Sequence, residues 1–314
     1  MSVKIITPYV FENEIIHHKN QFWELDVHYE RDVAGIGSDL MFQKMWSQYP
    51  EDDIFILHAD MSPYHDGWWE EVLEHVERYP EAGMFGCLLL YPAKNESGQY
   101  YIQCAGGKFT DNRPDHFGSG LVLENGGTFK SELEVDTGQY DSTREVAWTT
   151  FGGCYIRRQF INSVGNFDPS YEWTYNRDVD YCLSGRQAGF SIYQIPVRLY
   201  HHESRDNKRI KDESKIKMEM RNLARLQTKW ANSKFYKTLD KEIKVDKVYI
   251  TKDELTKSIY KQREKAGPLV TFLIILALCA SVIWLIPLLV FWILFFIFCI
   301  PFYLLDKYIF KRRK

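Results

Sequence analysis

The chain has 314 residues, 45% hydrophobic and 16% aromatic, with 39 Lys/Arg against 42 Asp/Glu for a net charge of −3. That composition excludes a disordered, collagen-like or disulfide-stapled chain and suits one medium domain with an appendage. Near-neutrality conceals a split: residues 1–204 carry net −16, residues 205–265 net +9, residues 266–305 no charge and residues 306–314 net +4.

Read in chain order, Val3–Thr7 is a short apolar run that predicts a strand closed by Pro8. The start Met1-Ser-Val-Lys turns polar too soon for a signal peptide, so the head is expected in the cytosol. Six cysteines without a CxxC pair or metal-ligand spacing agree, predicting neither structural zinc nor a disulfide framework. Ser38–Gln48 predicts a helix, Ile54–Leu57 a strand, Trp68–Arg78 a helix and Met84–Leu90 another strand. A helix through Asp180–Ala188, ended by Gly189, and a strand Ser191–Ile195 follow. Alternation of this kind indicates an α/β domain with a mixed, mostly parallel sheet flanked by helices. In such sheets ligands bind beyond the carboxyl ends of the strands.

The candidate residues gather at those ends. Asp60 directly follows the Ile54–Leu57 strand, where a carboxylate can meet a hard divalent cation and a diphosphate. His58 beside it suits a metal that also accepts imidazole. Asp178 and Asp180 fall where a helix begins, a position the helix dipole makes favourable for negative charge whether or not it has a catalytic use. His201 and His202 stand together beyond the last strand as possible metal ligands.

Taken in order, these pieces resemble a known family. The strand leading to Asp60 comes first, then Ile102-Gln-Cys-Ala-Gly-Gly107 and Glu145-Val-Ala-Trp148. Phe151-Gly-Gly-Cys-Tyr-Ile-Arg-Arg158, Val164-Gly-Asn-Phe-Asp168, Arg177-Asp-Val-Asp180-Tyr-Cys-Leu183 and His201-His202 complete the series. Over residues 3–204 this series resembles family 2 glycosyltransferases of GT-A fold, closest to their rhamnosyltransferase-like branch.

The resemblance implies a nucleotide-sugar donor, a divalent cation (Mn2+ or Mg2+) and inverting transfer to a hydroxyl of a glycan or lipid-linked acceptor. Asp60 matches the last Asp of the family's DxD motif, with His58 in place of the first. Asp178 matches the general base, with Arg177 replacing the Glu before it. His202, or else His201, matches a histidine that reaches the metal. On the donor side, Pro8 and the loop through Glu12 match the edge that packs on the nucleotide, and Asp39 is expected to meet the base or ribose. On the acceptor side, Gly152 and Gly153 would form a close wall, with Trp148, Trp173 and Asp180 nearby. The departures His58 and Arg177 leave a second reading, a degenerate transferase fold that only binds a nucleotide-sugar or glycan. Nucleotidyl transfer fits less well, because Gly35-Ile-Gly37-Ser lacks the length and Lys of a phosphate loop.

The expected organisation is a GT-A domain over 1–204, a basic helical connector over 205–265, a membrane-embedded helix or hairpin over 266–305 and a basic tail over 306–314. Pro268–Leu305 would form one helix of about 57 Å at ~1.5 Å per residue, long for a hydrocarbon core of roughly 30 Å. Pro287 divides it into two shorter segments, and basic residues on both flanks predict that both stay cytoplasmic. Met218, Leu223, Leu226 and Trp230 recur at helical spacing in the connector, so part of it should pack on the head. Its remaining cations would meet anionic lipid headgroups as a collar at the membrane surface. Nucleic acid is not an expected partner, since the acidic head would repel phosphate.

Overall fold

The computed structural model describes residues 2–110, 113–123, 129–172, 175–202, 212–231, 233 and 249–251. The chain divides after Leu255, and the apolar tract expected at 266–305 lies outside the described residues. Among the described residues, no helix is long and apolar enough to cross a membrane.

The chain opens with β1 (Val3–Tyr9), α1 (Glu12–Gln21), β2 (Val27–Arg31), α2 (Ser38–Trp46) and β3 (Asp53–Ile56). Next come β4 (Met61–Pro63), α3 (Trp68–Arg78), β5 (Ala82–Lys94) and β6 (Tyr100–Cys104). The short strands β7 (Gly107–Thr110), β8 (Arg113–His116), β9 (Ser119–Leu123), β10 (Phe129–Glu134) and β11 (Arg144–Glu145) follow. The remainder is β12 (Cys154–Ile156), α4 (Arg158–Val164), α5 (Arg177–Gln187), β13 (Ser191–His201), α6 (Asp212–Trp230) and β14 (Tyr249–Thr251).

The main sheet runs β11-β13-β5-β12-β3-β1-β2, with β4 on β13 and β6 on β5. β1 pairs in parallel with both β2 and β3, and β13 pairs in parallel with β5. β12 sits antiparallel between β3 and β5, so β2, β1, β3, β5 and β13 all point the same way. The architecture is therefore mixed α/β, with its long strands parallel in direction.

Both faces of the central strands are covered, which is why β3 and β5 read as unbroken apolar runs. Successive side chains alternate between two core layers, as strand geometry requires. Ile54 and Ile56 enter the layer that holds Met41, Phe42 and Val179, while Phe55 and Leu57 enter the layer that holds Trp68, Val72 and Val76. Trp68, Val72 and Val76 form the buried stripe of α3, with Trp69 and Leu73 packed at its border. Each such fully buried side chain contributes roughly 1.5–3 kcal/mol.

Several elements outrun their sequence boundaries. β5 and β13 are longer than expected, and α5 begins at Arg177 rather than Asp180. The connector also behaves differently from a plain linker. Its helix α6 buries Met218, Leu226 and Trp230 against the head, and β14 pairs with β10. Three of its cations face acidic residues of the head: Arg221 and Arg225 reach Glu172, and Lys229 reaches Asp168 and Asp180.

Candidate active site

The shared strand direction brings the sequence-distant candidates to one edge. β3 ends at Ile56 and the chain passes through Leu57 to His58 and Asp60. β13 ends at His201, registered opposite Met61 of β4, and the His202 amide donates to the Asp60 carbonyl at 2.9 Å. Antiparallel β12 starts at the same edge, immediately after Gly152 and Gly153. Both glycines back onto the neighbouring strands. A Cβ on Gly152 would stand 3.6 Å from His58 Nδ1, and one on Gly153, at φ +62°, would lie 2.7 Å from Leu199 Cδ1.

His58, Asp60 and His201 each offer a ligand atom, and these atoms lie within 4.8 Å of one another. The ring of His58 stacks on Phe42 with centroids 5.5 Å apart and an interplanar angle of 9°. Burial lowers its pKa to about 4, so at neutral pH it is an uncharged imidazole with a lone pair to give. Burial would raise Asp60, but the two imidazoles and its own backbone amide outweigh that, and the carboxylate stays ionised well below the usual range. His201 places Nδ1 2.5 Å from Gln103 Oε1, so that nitrogen donates and Nε2 presents its lone pair 3.3 Å from Asp60 Oδ1. Two lone pairs facing each other require a positive charge on or between them: a proton on Nε2, or a cation. His58 Nε2 and Asp60 Oδ2 are also buried without a hydrogen-bond partner. Unmet buried polar atoms each cost about 1–3 kcal/mol, a cost that one bound divalent cation would offset. The donor set fits such an ion, and two imidazoles suit Mn2+ better than Mg2+.

Asp178 stands in the first turn of α5, behind Asn176 at φ +64°. Its carboxylate accepts the Val179 amide at 2.9 Å. Burial pushes its pKa up to about 6, against the pull of that amide. Its charge is felt by the buried thiols of Cys104 on β6, Cys154 on β12 and Cys182 one turn along α5. β6 is thus tied to both groups: Gln103 holds His201, and the charge of Asp178 reaches Cys104.

The other expected site residues divide. Pro8 lies at the carboxyl end of β1, half-buried on the site edge. Glu12 starts α1, where it accepts from Tyr9 Oη at 3.2 Å and pairs with Arg31 at 3.7 Å. Asp39 is buried at the start of α2 and paired with Arg177 at 3.5 Å, so Arg177 has an internal partner. His202 is near Asp60 but turns Nε2 to Ser62 Oγ at 3.0 Å, leaving His201 as the histidine of the cluster. Two expectations for the acceptor side give way to packing. Trp148 is 2% exposed, donates Nε1–H to the Lys108 carbonyl at 2.9 Å and meets the His116 ring edge-on. Asp180 is 3% exposed and accepts from Tyr171, Trp230 and Lys229. Trp173 lies outside the described residues. Sequence reasoning gave no role to Gln103 or Phe42, which orient the two imidazoles; Gln103 lies within the Ile102–Gly107 motif, as a polar residue between buried Ile102 and Cys104.

No protein-family model and no curated protein matches the sequence. Solved structures do overlap it. A crystal structure of GalNAc-T7 with UDP, GalNAc and Mn2+ superposes with a TM-score of 0.47 at 10% identity, over 75% of this chain and 49% of that one. The crystal structure of A197 from STIV gives a TM-score of 0.37 at 12% identity, over 64% and 85% respectively. The chain thus spans about half of the GalNAc-T7 chain it overlaps. Likeness at this level fixes neither family nor activity.

Proposed function

We propose that the chain is an inverting glycosyltransferase of the GT-A kind, moving a sugar from a nucleotide-diphosphate donor to a hydroxyl of a glycan or lipid-linked acceptor. The observation that carries this reading is the His58–Asp60–His201 cluster at the carboxyl ends of β3 and β13, whose three ligand atoms lie within 4.8 Å of one another. Asp60, His58 and His201 would hold a divalent cation, whose chemistry is to stabilise the charge developing on the departing diphosphate. Pro8 would pack on the nucleotide from the end of β1. Asp178, with its pKa about 6, is ionised at neutral pH and basic enough to take the acceptor proton as the new bond forms. Inversion follows when that hydroxyl attacks the anomeric carbon opposite the diphosphate, so base and cation must flank one sugar. Tethering by the 266–305 tract, with the head on the cytoplasmic face and the basic flanks on anionic lipid, would keep the enzyme with a membrane-bound acceptor.

The test is nucleotide release by the detergent-solubilised chain from UDP-, GDP- and dTDP-sugars with Mn2+ or Mg2+, beside an Asp60→Ala control. Metal-dependent release from one donor, lost in the control, supports transfer. Silence across the panel, with no metal-dependent donor binding by calorimetry, would remove the reading.

A further inference from the structure

The turn that delivers Asp178 is held from outside the sheet. Asn176 adopts a left-handed backbone, a conformation that Asn tolerates better than other non-glycine residues and that neighbouring contacts can fix. Described residues before it, Asp168, Glu172 and Tyr175, are gripped by α6. Asn222 is completely buried on that helix and spends its amide on the loop backbone. Its Nδ2 donates to the Glu172 carbonyl at 2.6 Å and the Tyr175 carbonyl at 2.9 Å, while its Oδ1 accepts the Glu172 amide at 3.0 Å. Arg221 closes a bidentate pair on the Glu172 carboxylate at 2.8 and 2.6 Å. On the far side of the turn, Trp230 Nε1 and Lys229 Nζ donate to Asp180, two residues beyond Asp178. Arg177 completes the enclosure, donating to the Tyr171 carbonyl and pairing with Asp39. One helix therefore grips the chain on both sides of Asn176.

We propose that α6 is a brace for the reaction centre and that Asn222 is a positioning residue for Asp178, fixing the left-handed turn so that the carboxylate is aimed and shielded from water. Asn222 touches no reacting atom. An amide is required there because the loop offers two carbonyls and one N–H, which only a side chain with both donors and an acceptor can satisfy at once. The role in turnover rests on the transferase reading; the effect on the Asp178 carboxylate does not.

Two measurements on the full chain in detergent test it. The first compares unfolding midpoints at pH 8 for the wild type, Asp178→Asn, Asn222→Ala and the double variant. Asp178→Asn removes a charge held out of water, so it raises the midpoint in the wild type. It raises the midpoint clearly less in the Asn222→Ala background, where the relaxed turn admits water. Equal gains in both backgrounds would overturn the proposal whether or not the chain transfers sugar. The second measures donor turnover. Asn222→Ala lowers kcat by about 10- to 100-fold with the donor KM unchanged. Leu226→Ala, which loses buried packing on the same helix but makes no loop hydrogen bond, keeps kcat at temperatures well below its midpoint. Parallel loss in both variants would reduce Asn222 to a structural role. Should Asn222→Ala fail to fold, Trp230→Phe removes the hydrogen bond to Asp180 while keeping an aromatic ring in the core, and the same two signs are expected, smaller. A wild type that neither releases nucleotide nor binds a donor with metal, but retains the stability coupling, would sink the transferase reading and leave the brace standing.

Discussion

Asp60 and Asp178 are both drawn out of water, yet their surroundings push them in opposite directions. Asp60 sits on a turn between strands, with His201 3.3 Å away and His58 completing the cluster, and is held ionised far below an ordinary aspartate. Asp178 sits on the first turn of a helix, its charge felt by neutral buried thiols, and burial raises it to about 6. Under the proposed function, the same residue type would supply a permanent anion for a cation and a poised base for a proton. Separation of two carboxylates by environment is how one site assigns ligand and acid–base roles.

The sharpest way to break the comparison is to exchange the roles' consequences. Asp60→Ala removes the anionic member of the cluster, so Mn2+ binding by calorimetry should vanish and turnover fall by ~10³-fold or more. Unaltered Mn2+ affinity in that variant would take the cluster out of the mechanism. Asp178→Asn should instead leave Mn2+ binding intact and lower turnover by about 10²–10⁴-fold, the usual reach of a general base.

The same substitution has an opposite effect on stability. Because the folded pKa lies above the ordinary value, the folded state binds the extra proton between about pH 4 and pH 6. The penalty for an ionised Asp178 is therefore absent below pH 4 and complete above pH 6, on the order of 2–3 kcal/mol. Asp178→Asn should raise stability at pH 8 and do little at pH 4. Wild-type turnover should fall as pH drops through about 6. A turnover profile flat from pH 5 to 8 would deny Asp178 the proton.

The two carboxylates also differ in how they could be read from sequence. Asp60 was legible because Ile54–Leu57 is an unmistakable buried strand, and a residue just past such a strand lies on the ligand edge. The main elements around it follow from periodicity in the same way, α3 to the residue. Asp178 was legible as an acidic residue near a helix start, but its role as base came only through the resemblance of Arg177–Leu183, and its helix begins three residues earlier than the apolar spacing suggests. What fixes that helix start, Asn176 in a left-handed turn and Asn222 from a segment that reads as a connector, is tertiary and has no local signal. Trp148 and Asp180 illustrate the reverse. Their residue types suit sugar contacts, but exposure decides between stacking on a ligand and packing in a core, and exposure depends on β7, β8 and α6 arriving from elsewhere.

Gln103 gives the comparison its next test, since it touches the Asp60 side alone. Gln103→Ala removes the acceptor that fixes the His201 tautomer, and a lost outer partner of this kind costs roughly 10–100-fold in metal affinity. The unfolding difference between pH 4 and pH 8 that Asp178 sets should not change. A shift in that difference would mean that β6 couples the two carboxylates.

The smallest expected effects separate two adjacent glycines. Gly153→Ala forces a side chain into φ +62° and sets its Cβ 2.7 Å from Leu199, so it should cost about 1–2 kcal/mol in unfolding experiments. Gly152 has an ordinary backbone, and an added Cβ would meet Leu89 at 3.4 Å and His58 Nδ1 at 3.6 Å. Gly152→Ala should therefore stay within ~0.5 kcal/mol of the wild type in stability. Its added methyl crowds one ring of the cluster, so Mn2+ affinity should fall a few-fold while the pH dependence of stability set by Asp178 is untouched. Equal stability losses at the two positions would mean that the wall behind His58 is packed more tightly than these distances allow, and that Gly152 serves the fold rather than the cluster.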